Sequence, residues 1–200
     1  MLAFAPPALA APDPDSKAAF DRGQQLRQQR DFRAARIEYL NAIDEDGHWA
    51  PPHIAVAAVS LDLFDPIMAR AEIDRARALN ADPQYYNHLL GHALWMQGQG
   101  DRALDVLSQQ PIAKRFRPYA LRMIARIYLD RNDNMGAQKA LEEALKLAPD
   151  NSMVWTEIGR LRMVIANQGG AIEALDRAVK LDPANLRALE LRGRLVRSQY

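Results

Sequence analysis

The chain of 200 residues contains no cysteine. That absence removes disulfides, thiolate zinc sites, iron–sulfur ligation and cysteine nucleophiles together. No apolar run approaches the roughly 20 residues that a bilayer-spanning helix needs, so no membrane span is expected. Lysine is scarce, with 5 residues against 21 arginines. β-Branched residues are sparse. G-x-S-x-G, a phosphate-binding glycine loop and a dinucleotide fingerprint are all missing. No catalytic residues, no metal and no cofactor are therefore expected. Alanine is abundant, at 34 residues, and the chain is 48% hydrophobic and 26% charged. This composition belongs to an ordered, helix-rich chain.

Residues 1–15 stand apart. They contain four prolines and no basic residue, and the prolines oppose a regular helix. Ala8-Leu9-Ala10 followed by Ala11 has the A-x-A form of a signal-peptidase site, but the charged and long apolar regions of a full signal are missing. Two readings stand. In one, the segment is the remnant of an export signal and the protein is periplasmic or otherwise exported. In the other, it is a disordered Ala/Pro leader on a cytoplasmic protein.

A 34-residue period organises the rest. It sets units at 16–49, 50–83, 84–117, 118–151 and 152–185, with a partial sixth at 186–200. The eighth place holds Gly23, Ala57, Gly91, Ala125, Gly159 and Gly193. The twentieth holds Ala35, Ala69, Ala103, Ala137 and Ala171, and the twenty-fourth Tyr39, Ile73, Leu107, Leu141 and Leu175. Small residues let two helices approach, and the large one fills the space between them. Each unit is expected to be a pair of short antiparallel helices, and stacked pairs share one core. Turn chemistry falls between the helices: Asp31, Asp65-Pro66, Gly98-Gln99-Gly100, Asn132-Asp133-Asn134 and Asn167-Gln168-Gly169.

Over residues 16–200 this pattern resembles the tetratricopeptide repeat family. Trp155, Ile158, Gly159, Ala171, Leu175, Ala178 and Pro183 follow its W-x2-L-G-x2-Y…A-x3-F…P signature. The resemblance implies an all-α, right-handed solenoid of stacked antiparallel helix pairs. In units 50–83 and 84–117, Ala81 and Arg115 stand in place of the closing proline. Pro111 is expected to end its helix early.

In that family the first helices of successive units line a concave groove. By resemblance, the groove residues are Tyr85, His88, His92, Trp95, Tyr119, Arg122, Arg126, Met153, Arg160 and Arg194. Arginines bind carboxylates bidentately, and aromatic rings anchor with little rotamer entropy to lose. This predicts a non-catalytic scaffold holding a protein or peptide segment, with an acidic one suited to the arginines. Envelope assembly, secretion or polysaccharide export are the processes that the resemblance suggests. The alternative is that the arginines sit on a solvated surface or pair with neighbouring Glu157 and Glu190. The lysine/asparagine clamp of the chaperone-binding sub-family is missing. His88 and His92 share a helix face, but Leu89 replaces the glutamate of H-E-x-x-H, so groove lining is favoured over metal binding.

Residues 1–100 carry 9 basic and 13 acidic side chains, and residues 101–200 carry 17 and 12. The arginine-rich sixth helix brings no nucleic-acid recognition motif, so no nucleic-acid partner is expected. Its lack of a second helix leaves three readings open: a cap, a fragment of a longer protein, or self-association through the uncapped end. A different functional class remains as runner-up, the N-terminal repeat module of a larger glycosyl- or sulfotransferase.

Overall fold

A computed structural model describes residues 11–197, and Ala8-Leu9-Ala10 lies outside them. The described residues form helices α1 (Pro14–Gln28), α2 (Phe32–Glu45), α3 (Ala50–Asp62), α4 (Pro66–Ala78), α5 (Asn87–Met96), α6 (Gly100–Gln109), α7 (Arg117–Asp130), α8 (Asn134–Leu147), α9 (Ser152–Val164), α10 (Gln168–Leu181) and α11 (Leu186–Arg197). Short 3₁₀ turns lie at Pro83–Tyr85 and Lys114–Phe116. The fold is an all-α solenoid of antiparallel helix pairs, and no strand occurs among the described residues. None of the described helices is long and apolar enough to cross a membrane.

The second helices begin at residues 32, 66, 100, 134 and 168, keeping the period strictly. The turn before each explains why. Arg30, Phe64, Gly98, Asn132 and Ala166 all take a left-handed backbone, with φ between 58° and 74°. The next residue's N–H then bonds the carbonyl five back, as in Asp31 to Leu26 (3.0 Å), Asp133 to Tyr128 (2.9 Å) and Asn167 to Arg162 (2.8 Å). This satisfies carbonyls left over at the helix C-terminus. Asp31, Asp65, Asp133 and Asn167 next accept the N–H three residues on, at 2.8–3.0 Å, and cap the following helix. Stop and start signals thus sit on adjacent residues, which fixes the turn length.

The first helices are less regular because the joints between units vary. α6 stops at Gln109, ahead of Pro111, as expected. α1 departs from expectation: it begins at Pro14, inside the proline-rich leader. Proline is tolerated at the first helical position, where its missing N–H has no partner to lose. Asp13 caps this end, accepting N–H bonds from Asp15 (2.8 Å) and Ser16 (3.3 Å).

The chain divides into two compact units at Asp82/Pro83. In the first, α1–α4 close over Ala35, Tyr39, Ala55, Val56 and Val59. Trp49 packs at the first joint, its ring edge-on to Phe20 at 4.9 Å. His53 Nδ1 meets the fully buried Glu72 carboxylate at 2.7 Å, and Arg75 also bonds that carboxylate. In the second unit α5 pairs with α6, α7 with α8 and α9 with α10, while α5, α7, α9 and α11 pack side by side in sequence. All five twentieth-place alanines are fully buried.

The eighth-place glycines mark where paired helices come closest. A Cβ on Gly159 would lie 2.6 Å from Leu175, and one on Gly23 would lie 2.6 Å from Tyr39. Gly159→Ala is therefore expected to cost about 1–3 kcal/mol through overpacking, read from the midpoint of urea unfolding. Phe64, exposed and left-handed at φ 62°, strains its turn. Phe64→Gly is expected to raise stability by up to about 1 kcal/mol, partly offset by the freer unfolded chain.

Candidate partner-binding face

The ten residues singled out above as the candidate binding face lie in the second unit, on its first helices or the 3₁₀ turn leading into α5. The structure joins most of them into two neighbouring clusters.

The first cluster is aromatic. His88 is buried and stacks on Phe116, with centroids 4.0 Å apart and planes at 14°. Tyr119 stands edge-on to His88 at 5.2 Å, and its hydroxyl meets His92 Nδ1. The Trp95 indole N–H donates to Asp130 at 2.6 Å. Guanidinium groups cover these rings: Arg126 lies 4.3 Å from the Trp95 centroid and Arg122 4.8 Å from Tyr119. Arg115 lies 5.3 Å from Tyr85. Such cation–π contacts hold long side chains in fixed positions. The two histidine rings are thus engaged with aromatic neighbours across the repeat.

The second cluster is ionic and centres on Glu157, which is fully buried. Arg160 Nε lies 2.9 Å from one carboxylate oxygen, and Arg126 and Arg122 lie 3.6 and 3.9 Å from the other. Neither oxygen has a directed hydrogen bond among the described residues, so charge proximity holds the carboxylate. Three guanidinium groups around one carboxylate leave positive charge in excess. Burial, together with Arg160 and Arg122, pulls the Arg126 pKa down against the opposing pull of Glu157.

The groove arginines named from sequence are therefore not unpaired groups. Arg122, Arg126 and Arg160 converge on Glu157, and Arg194 bonds Glu190 at 2.5 Å on α11. Met153 is exposed on the first turn of α9, and Tyr85 is exposed before α5. Phe116, Arg115 and Asp130 were not anticipated. Only their nearness in sequence to Tyr119 and Arg126 hinted at them.

Burial, then the charges of Arg122, Arg126 and His88, lower the His92 pKa from 6.5 to about 3. The unfolded histidine takes up a proton near 6.5 while the folded one stays neutral. Stability contributed by this group is therefore present above about pH 6.5 and is lost as pH falls towards 3, by at most about 1.4 kcal/mol per pH unit. His92→Gln is expected to flatten the loss between about pH 6.5 and 5, as measured by urea titrations at each pH. Glu157→Gln keeps the shape of the side chain but removes its charge. It is expected to cost roughly 3 kcal/mol or more, because three guanidinium groups lose their counter-charge.

Residues 122–185 match the family model described as tetratricopeptide repeat. No curated protein matches the chain in sequence. Among solved structures, a thermophilic tetratricopeptide repeat protein of Thermus thermophilus aligns with a TM-score of 0.75 at 18% identity, covering 92% of this chain and 98% of that one. The pilF protein of Pseudomonas aeruginosa aligns with a TM-score of 0.63 at 22% identity, covering 92% of this chain and 84% of that one. PilW, a type IV pilus biogenesis factor, aligns with a TM-score of 0.64 at 13% identity, covering 92% and 93%. At these identities the structural likeness speaks for the fold. Residues 122–185 thus match the tetratricopeptide repeat, and along nine-tenths of its length the chain shares the fold of solved tetratricopeptide-repeat proteins.

Proposed function

We propose that the chain is a non-catalytic scaffold that holds an extended, acidic segment of a partner protein on the face built by α5, α7 and α9. The observation that carries this is the imbalance at Glu157, where three guanidinium groups share one carboxylate. Anionic side chains of a partner supply the missing negative charge, and Arg126 and Arg160, partly exposed, are the groups that reach them. Trp95 and Tyr119, already fixed in place by Asp130 and His92, give apolar anchors at little entropic cost. The likeness to PilW, together with the export reading of Ala8-Leu9-Ala10, supports a role in cell-envelope assembly or secretion.

The test uses a fluorescein-labelled peptide of alternating Glu and Ser with one central Leu, against its Gln-for-Glu analogue. The acidic peptide is expected to bind roughly tenfold or more tightly, and to weaken as salt rises. Arg126→Gln in an otherwise folded chain should remove most of that preference. Equal binding of the two peptides contradicts the proposal.

A further inference from the structure

The arginines of the candidate face differ from others in the chain. Arg22, Arg162, Arg177 and Arg192 each donate a hydrogen bond to a carboxylate or carbonyl oxygen. Arg122, Arg126 and Arg160 donate none among the described residues, although all three approach Glu157, at 3.9, 3.6 and 2.9 Å. Arg160 Nε and Nη2 are buried and still lack an aligned acceptor. Three guanidinium groups bring roughly fifteen N–H donors to one place, and the carboxylate between them is aligned with none of them.

Charge is unbalanced in the same sense. Arg122, Arg126 and Arg160 against Glu157 leave two positive charges in excess. On α11, Arg187 and Arg194 share Glu190 and add one more, and Arg187 is near enough to act on Arg126. Asp130, bonded to the Trp95 indole on which Arg126 rests, takes one away. His92, its pKa lowered to about 3, is neutral near pH 7 and adds nothing. Two positive charges therefore remain that the groups of the face do not answer. One carboxylate answers one of them. A phosphate monoester carries about −1.5 to −2 at pH 7 on three acceptor oxygens, and those oxygens match guanidinium forks.

Resting on the reading of this face as the seat of an anionic segment, we propose that the anionic group it takes is a phosphoserine or phosphothreonine of the partner, bound by Arg126 and Arg160. The side chains of these two arginines are 22% and 23% exposed, against 9% for Arg122. The first two meet the phosphoryl oxygens, and Arg122 supplies charge from beneath. Trp95 under Arg126 and Tyr119 under Arg122 hold the planar groups in position. The same two rings offer the apolar contact that distinguishes a phosphorylated segment from free phosphate.

The probe is a fluorescein-labelled Gly/Ser peptide with one central Leu and one phosphoserine beside it. Its control carries two glutamates in place of the phosphoserine and a neighbouring serine, which gives nearly the same net charge. The phosphopeptide is expected to bind the whole chain at least about tenfold more tightly than the control. Arg126→Lys keeps a positive charge beside Glu157 but loses the planar fork. Its thermal unfolding should be nearly unchanged, while the preference for phosphoserine falls at least about fivefold. Arg160→Lys should act in the same way, and Arg22→Gln, in the first unit, should leave the preference as it is. Inorganic phosphate should bind roughly tenfold or more weakly than the phosphopeptide. Equal binding of the two peptides, a preference that survives both lysine variants, or inorganic phosphate binding as tightly as the phosphopeptide overturns the proposal. A preference for Glu over Gln in the acidic peptide with no gain from phosphoserine overturns this proposal alone, and no binding of any of these peptides overturns both.

Discussion

Close approach of two helices at a residue without a bulky side chain is the constraint on which the structure depends. A small residue at the eighth place of each unit and a large one sixteen residues later form a lock that sets the spacing within a helix pair. The twentieth-place alanine, fully buried in every unit, keeps the second helix at the same distance one turn earlier. Such a pair buries little alone, so the apolar surface left over has to be covered by the next pair. Side-by-side packing of α5, α7, α9 and α11 follows from this, and that packing carries residues from three repeats to one place.

The face so formed combines two kinds of order. Aromatic and histidine rings stack across the boundary between α5 and α7 and fix Tyr119, while Asp130 holds Trp95. Guanidinium groups sit against those rings and around a buried carboxylate. Burying Glu157 is costly, and its arginines offset the cost, so the ion cluster is better read as a positioning device than as a source of stability. In the proposed function it would hold cationic groups in place where mobile surface arginines would lose entropy on binding.

Much of the fold was legible in the sequence because one residue set does one job at a constant spacing. The alanines at 35, 69, 103, 137 and 171 are buried as their period implied, and the Asp and Asn residues before α2, α4, α8 and α10 are the caps they resembled. The start of α1 was obscured because Pro14, a helix breaker inside a helix, is harmless at its first position. The candidate face was legible as a set of positions but not as a set of partners. Arg160 and Glu157 are three apart on α9, and their pairing is local. Arg122 and Arg126 reach the same carboxylate from α7, a contact set by the offset between neighbouring helices rather than by spacing within one. The His92–Tyr119 bond and the Arg126–Trp95 contact cross the repeat in the same way.

The most direct test of the central claim is to observe the guanidinium groups themselves. Arginine Nε–H resonances of the whole chain, assigned by single Arg→Lys variants, are followed while the acidic peptide is added. The account predicts that Arg126 and Arg160 shift together and saturably, while Arg22, paired with Glu38 in the first unit, does not move. Uniform small shifts across all arginines, or shifts that omit Arg126 and Arg160, would contradict it.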